Sequence, residues 1–156
     1  MRRHDREITD PTRINEIISA CTCCRLGLND DGKVYIVPLN FGYEENQQKK
    51  IFYFHGAVQG RKLELIQKTH YAGFELDTNY ELHTAGTACA HSARFQSIIG
   101  TGKIDIIEYL QEKRRALGLI MYHNTQKADW DFPEKALQAV AVFKLEVDEL
   151  TCKEHL

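Results

Sequence analysis

Arg61 and Lys62 stand side by side after Gly60, where an apolar run gives way to a helical pattern. Two cations in a first helical turn oppose the helix macrodipole, whose N-terminal end is positive. An anionic ligand reverses that sign. Unpaired N–H groups, the dipole and both cations would then all favour a phosphate. The alternative is that both side chains extend into water, and the residues alone leave the two readings open. His55 and Gly56 lie just upstream, at the end of Ile51-Phe52-Tyr53-Phe54. A histidine titrates near neutrality, so at this position it could donate a hydrogen bond or a proton to a ligand. A bare His-Gly step is more often structural.

Other motifs carry less. Gly100-Thr101-Gly102-Lys103 resembles the end of a P-loop, but Ser97 stands where the motif needs glycine and Ile104 where it needs Ser or Thr. Two glycines in a strand predict instead a bulge or a close backbone approach to a ligand. Cys21 and Cys24 have the spacing of half a zinc ribbon, with no second pair to complete it. Small buried or half-buried residues are the expectation there, and no metal site is assigned. Trp130-Asp131-Phe132-Pro133 either plugs the core or walls the pocket of a planar ligand.

The elements that must position these residues read as follows. Asp10 caps a helix over residues 11–20, with Pro11 at its first position and Ile14, Ile17 and Ile18 on one face. Strands at 25–28 and 33–41 flank Asn29-Asp30-Asp31-Gly32, a hairpin signal. Residues 44–50 read as a polar turn and 51–55 as a third strand. A helix over 61–68 precedes a fourth strand at 72–76, and a long polar connection is expected over 77–92. A strand over 95–106, a helix over 108–123 and a strand over 140–147 complete the pattern, with 135–136 ambiguous. Hairpin-linked strands without regular βαβ alternation point to an antiparallel barrel or α+β domain.

The bulk numbers agree. The 156 residues suit one domain, with 43% apolar and 27% charged residues. A net charge of −2, with Lys and Arg dispersed, argues against a broad nucleic-acid face. No apolar stretch approaches membrane-helix length, and the charged start MRRHDREITD lacks an apolar signal core. Five cysteines form no secreted disulfide framework, so a reduced, cytoplasmic protein is expected.

Taken in order, several stretches resemble the FMN-binding split-barrel superfamily, also called pyridoxamine 5'-phosphate oxidase-like. Its Nim branch, the 5-nitroimidazole-resistance proteins, is the nearest likeness. The stretches are Arg2-Arg3-His4-Asp5-Arg6-Glu7-Ile8, Cys24-Arg25-Leu26-Gly27-Leu28, Tyr35-Ile36-Val37-Pro38-Leu39-Asn40-Phe41-Gly42-Tyr43 and Tyr53-Phe54-His55-Gly56-Ala57 with Gly60-Arg61-Lys62. Ser97-Ile98-Ile99-Gly100-Thr101-Gly102, Leu119-Ile120-Met121-Tyr122-His123 and Trp130-Asp131-Phe132 follow. The likeness spans nearly the whole chain.

That resemblance implies a single-domain, six-stranded antiparallel split β-barrel with flanking helices, covering residues 1–156. It implies a homodimer with two FMN sites at its interface. Val37, Pro38, Leu39, Asn40 and Phe41 would lie along the flavin ring, and His55 and Gly56 would line it. Arg61 and Lys62 would bind the phosphate. Ser97, Ile98 and Gly100 would add contacts, and Trp130 would approach from the C-terminal segment. Pro38, which lacks a backbone donor, belongs at a strand edge or bend.

The expected activity is an FMN-dependent oxidoreductase, nitroreductase-like, passing electrons to a small acceptor such as a nitro compound or quinone. His55 is its candidate catalytic residue. Two alternatives are a non-catalytic flavin carrier, sensor or scavenger, and a haem protein using His55, His91 or His123. Close relatives commonly carry an Asp-Trp pair after the cysteine of the 89–95 stretch. Here that stretch reads Cys89-Ala90-His91-Ser92-Ala93-Arg94-Phe95, so the substrate side differs. The tail Thr151-Cys152-Lys153-Glu154-His155-Leu156 lacks the arginine-rich ending of true pyridoxamine phosphate oxidases, whose reaction is not expected.

Overall fold

The structure is a computed structural model describing residues 3–47 and 49–156. Arg2 of the N-terminal matching stretch and Gln48 of the expected 44–50 turn lie outside the described residues. Strand β1 (Glu7–Ile8) precedes helix α1 (Pro11–Ala20). Asp10 caps α1 as expected, its carboxylate accepting from the N–H groups of Thr12 and Arg13. Then come β2 (Cys24–Asp30) and β3 (Lys33–Leu39). Asp31 and Gly32 turn between them with φ of 51° and 85°, the paired positive angles of a type I′ hairpin. The chain continues through β4 (Gly42–Asn46), β5 (Lys49–Ala57), α2 (Arg61–Thr69) and β6 (Tyr71–His83). The last elements are β7 (Ser92–Ile107), α3 (Leu110–Thr125), α4 (Glu134–Gln138) and β8 (Val140–His155).

All strands share one antiparallel sheet, ordered β3-β2-β6-β7-β8-β5-β4, with β1 added to β8. The split-barrel expectation holds with eight strands rather than six. Phe41, Phe52, Phe54, Phe74 and Phe143 fill the interior. Phe54 stacks on Phe143 at 5.5 Å between centroids. Ile14, Ile17 and Ile18 of α1 and Leu63, Leu65 and Ile66 of α2 join that core. A second cluster, Tyr53, Ile107, Ala116, Ile120 and Val142, seats α3 on the outer face of the sheet. Leu110, Leu117, Ile120 and Met121 are the residues whose spacing predicts an inward face on this helix, and of these only Ile120 is buried.

Three expectations are corrected. Residues 44–46 are not turn but part of β4, an edge strand whose polar side chains are anchored laterally. Glu44 binds Tyr53 and Arg115, and Glu45 binds Lys50 and Asn15. Residues 77–83 are not loop but the outer half of β6. A bulge between Thr78 and Glu81, with Asn79 at φ 54°, lets this half carry polar residues. Gln96, a buried polar side chain, ties the bulge down by accepting from Asn79 and donating to Glu154. Finally, β8 runs on through residues 148–155, pairing with β7 to His155.

Gly100 and Gly102 do mark a close approach, but to protein. A bulge falls between Thr101 and Gly102, and a Cβ on either glycine would collide with β8 carbonyls of Glu149 or Glu146.

Candidate functional site

β5 ends in His55-Gly56-Ala57, and the loop Val58-Gln59-Gly60 carries the chain into α2. Gly60 has φ 130°, a conformation open to glycine and closed to most side chains. No side chain caps the helix it starts, so the opening N–H groups are available to a ligand.

The two cations of this turn go separate ways. Arg61 leans back on the β2–β3 hairpin, where both its Nε and its terminal nitrogen bind Asp30, Nε at 3.0 Å. Its guanidinium lies over the Tyr35 ring, 5.1 Å from the centroid. The hydrogen bond raises the pKa of Arg61 and lowers that of Asp30. Lys62 turns toward the barrel. Its Nζ lies 2.7 Å from the place a Cβ on Gly56 would occupy and 5.4 Å from the Phe143 centroid. Any side chain at position 56 would displace this ammonium. Lys62 is half-buried and enters no ion pair among the described residues. Burial alone lowers its pKa, because the charged form is poorly solvated there.

His55 pairs with Val142 across the β5–β8 ladder. Side chains alternate along a strand. Phe54 and Gly56 therefore face the interior with Phe143 and Lys62, while His55 faces outward with Tyr53. The imidazole is exposed and has no hydrogen-bond partner among the described residues. Its pKa is lowered, first by the surrounding protein and then by the Lys62 charge, so the neutral ring is favoured at neutral pH.

The remaining predicted site residues are spread across the sheet. Val37, Pro38 and Leu39 lie on β3, an edge strand, where Pro38 is exposed and forfeits no interior ladder bond. Asn40 donates to the Thr22 carbonyl and to Asn124 Oδ1. Phe41 is fully buried, 4.2 Å from the His123 ring. On β7, Ser97 is half-buried, whereas Ile98 and Gly100 are buried. A ligand would meet Phe41 and Ile98 through backbone atoms. Trp130 follows α3, is 41% exposed and donates its indole N–H to the Lys127 carbonyl. The structure thus brings Gly56 and Lys62 together, with Arg61 beside them at the start of α2, and turns His55 to the opposite face of β5. No hydrogen bond, ion pair or ring contact joins Val37, Ser97 or Trp130 to that group among the described residues.

Sequence reasoning missed Asp30, Tyr35 and Phe143, each supplied by a distant strand, for which local sequence holds no signal. It also missed a cavity of about 450 Å³ beside Gly60, with Lys113 on its wall. Of the three histidines considered as haem ligands, His123 is engaged: its Nε2 lies 2.7 Å from the Cys21 carbonyl. His91 lies exposed beside the Thr87 carbonyl. Cys21, Cys24 and Cys152 are buried thiols. Burial pushes Cys21 up to about 12 and Cys152 up to about 11, so neither is a ready nucleophile.

The pyridoxamine 5'-phosphate oxidase family model matches residues 10–154. A candidate 5-nitroimidazole antibiotic resistance protein from Bacteroides thetaiotaomicron is 34% identical, with a TM-score of 0.82, over 95% of this chain and 86% of its own. A flavocytochrome from Azotobacter vinelandii has a TM-score of 0.83 at 20% identity, over 100% of this chain and 72% of its own. A FAD and heme binding protein from Mycobacterium smegmatis has a TM-score of 0.82 at 18% identity, over 96% and 73%. The last two speak for the fold. No curated protein matches the chain significantly.

Proposed function

The chain belongs to the pyridoxamine 5'-phosphate oxidase-like family, and on that premise we propose that it is a flavoprotein oxidoreductase holding the FMN moiety of its cofactor at the start of α2. The observation that carries this reading is Lys62. A half-buried ammonium without a carboxylate, at an uncapped helix N-terminus, is costly in the chain alone. A phosphate dianion offsets both costs at once. Lys62 and the opening N–H groups of α2 bind that phosphate. Arg61, already paired with Asp30, acts mainly by fixing the β2–β3 hairpin against the helix.

Bound flavin supplies the redox chemistry, accepting a hydride from a reductant and releasing electrons to a small acceptor such as a nitro compound or quinone. The chain's residues position, exclude water and handle protons. His55, neutral and unpartnered, offers one ring N–H and one lone pair at the edge of the site. The β3 segment through Asn40 is held by the C-terminal turn of α3, through Asn124 and His123, which suits a wall for the flat ring.

The outer face of β3, β2, β6 and β7 presents Val34 (74% exposed), Ile36 (63%) and Ile99 (57%), with no covering element among the described residues. This face fits a second copy of the chain, giving a homodimer with two sites at the interface. Trp130 then approaches the partner's site. A cytoplasmic setting suits the five free thiols. No helix among the described residues is long and apolar enough to cross a membrane.

The test is turnover. With flavin bound, the protein consumes NADH or NADPH in the presence of a nitro compound or quinone, and His55→Ala slows acceptor reduction while leaving flavin bound. Unchanged acceptor reduction in His55→Ala removes the histidine from the mechanism. Absence of any turnover with flavin bound leaves a carrier rather than an enzyme.

A further inference from the structure

β3 and β4 stand at the two ends of the sheet, and no ladder joins them among the described residues. Asn40 and Phe41 alone carry the chain from one end to the other, between Leu39 and Gly42. The placement of the β3 end, the wall proposed for the flavin ring, therefore depends on what holds this two-residue link.

Three segments converge on it. Asn40 spends both amide hydrogens on the protein, donating from Nδ2 to the Thr22 carbonyl at 3.2 Å and to Asn124 Oδ1 at 3.1 Å. Asn124 donates from its own Nδ2 to the Phe41 carbonyl at 3.2 Å and to the Ile120 carbonyl, one turn back on α3, at 2.7 Å. His123 donates from Nε2 to the Cys21 carbonyl at 2.7 Å, and its ring lies against Phe41. Just past the link, Gly42 brings two backbones into contact: a Cβ there would sit 2.5 Å from the Ile120 nitrogen. The last turns of α3 thus grip the link at Asn40, at Phe41 and at the first residue of β4. Asn124 has two opposite tasks, accepting from Asn40 with one atom and donating to Phe41 with the other. An amide does both, whereas a carboxylate only accepts.

We infer that Asn124 is a positioning residue for the flavin ring, fixing the end of β3 through Asn40 and Phe41 without touching the cofactor. The inference rests on the flavin reading above and deepens it, since it assigns the ring's wall to a residue of α3, apart from the phosphate position at α2.

The experiment is calorimetric titration of the purified full chain with FMN and with riboflavin, in wild type, Asn124→Ala and Asn124→Asp. Both variants are expected to bind each flavin roughly threefold to tenfold more weakly, the worth of one hydrogen bond. The factor is the same for both flavins, so the preference for FMN over riboflavin stays that of wild type. Visible circular dichroism of the FMN-saturated variants is expected to weaken, because a less firmly held ring sits in less fixed surroundings. Asn124→Asp keeps the side chain's size and the bond from Asn40, so it reads the donation to Phe41 even where Asn124→Ala fails to fold. Unchanged affinity and dichroism in Asn124→Asp overturn the inference and spare the flavin reading, as does a loss confined to FMN. A wild-type protein that binds neither flavin overturns both.

Discussion

The two helices that follow strands β5 and β7 treat their polar neighbours in opposite ways. Under α3, polar groups are matched. Arg115 holds Glu44, which accepts from the Tyr53 hydroxyl at 2.5 Å. Lys144 holds Glu112, and His123 and Asn124 engage the carbonyls of Cys21 and Phe41. At the start of α2, among the described residues, Lys62 lacks a carboxylate and His55 lacks a hydrogen bond. Matched groups hold a fold together, while unmatched half-buried groups cost stability unless something else binds them. The contrast is the ground for the site proposed at α2, and it can be broken at either end.

The largest effect is expected at Lys62. Lys62→Met removes charge-assisted hydrogen bonds worth about 1.5–3 kcal/mol, so flavin affinity falls roughly tenfold to a hundredfold. Thermal unfolding of the flavin-free protein is unchanged or slightly later, because a poorly solvated charge is gone. Arg115→Ala does the reverse. It leaves the Glu44 carboxylate, 17% exposed, without its cation and lowers stability by about 1–2 kcal/mol in urea titration, with flavin affinity unaltered. Arg61→Ala is expected to be milder on both counts. Its exposed pair with Asp30 is worth less than about 1 kcal/mol, so flavin affinity falls less than about fivefold. An Arg61 effect larger than that of Lys62 would invert the assignment.

The smallest effect is a pH signature that separates the two roles of Lys62. Its pKa in the folded chain lies below the ordinary 10.5. Between those two values the unfolded chain holds more protons, so flavin-free stability rises with pH across that window. Flavin affinity moves the other way there, as the ammonium that holds the phosphate is lost. Both trends are read as differences between wild type and Lys62→Met, in which each disappears.

Much of the fold was legible where chemistry is local. Asp10-Pro11 starts α1 and Asp31-Gly32 turns the hairpin because a cap and a positive φ depend on one or two residues. Strand segments 44–46, 77–83 and 148–155 were hidden because their apolar alternation is weak. β4 lies on the sheet edge with carboxylates paired sideways, and the outer β6 segment is bulged. The cation pair at 61–62 was legible too, as was the helix that it opens. That Arg61 would be taken by Asp30 and Lys62 left alone follows from the β2–β3 hairpin packing against α2, a contact across 31 residues. Sequence spacing holds no record of it. Nor did it record the cavity, whose walls come from the β5–α2 loop, α2, β7, α3 and β8.

The central claim is that Lys62 and the start of α2 hold a flavin phosphate. Riboflavin is FMN without that phosphate, so the comparison of their dissociation constants, in wild type and in Lys62→Met, isolates it. The account predicts that wild type prefers FMN over riboflavin by about tenfold or more, and that Lys62→Met reduces most of this preference. A wild-type protein that binds both flavins equally, or a preference that survives intact in Lys62→Met, would contradict it.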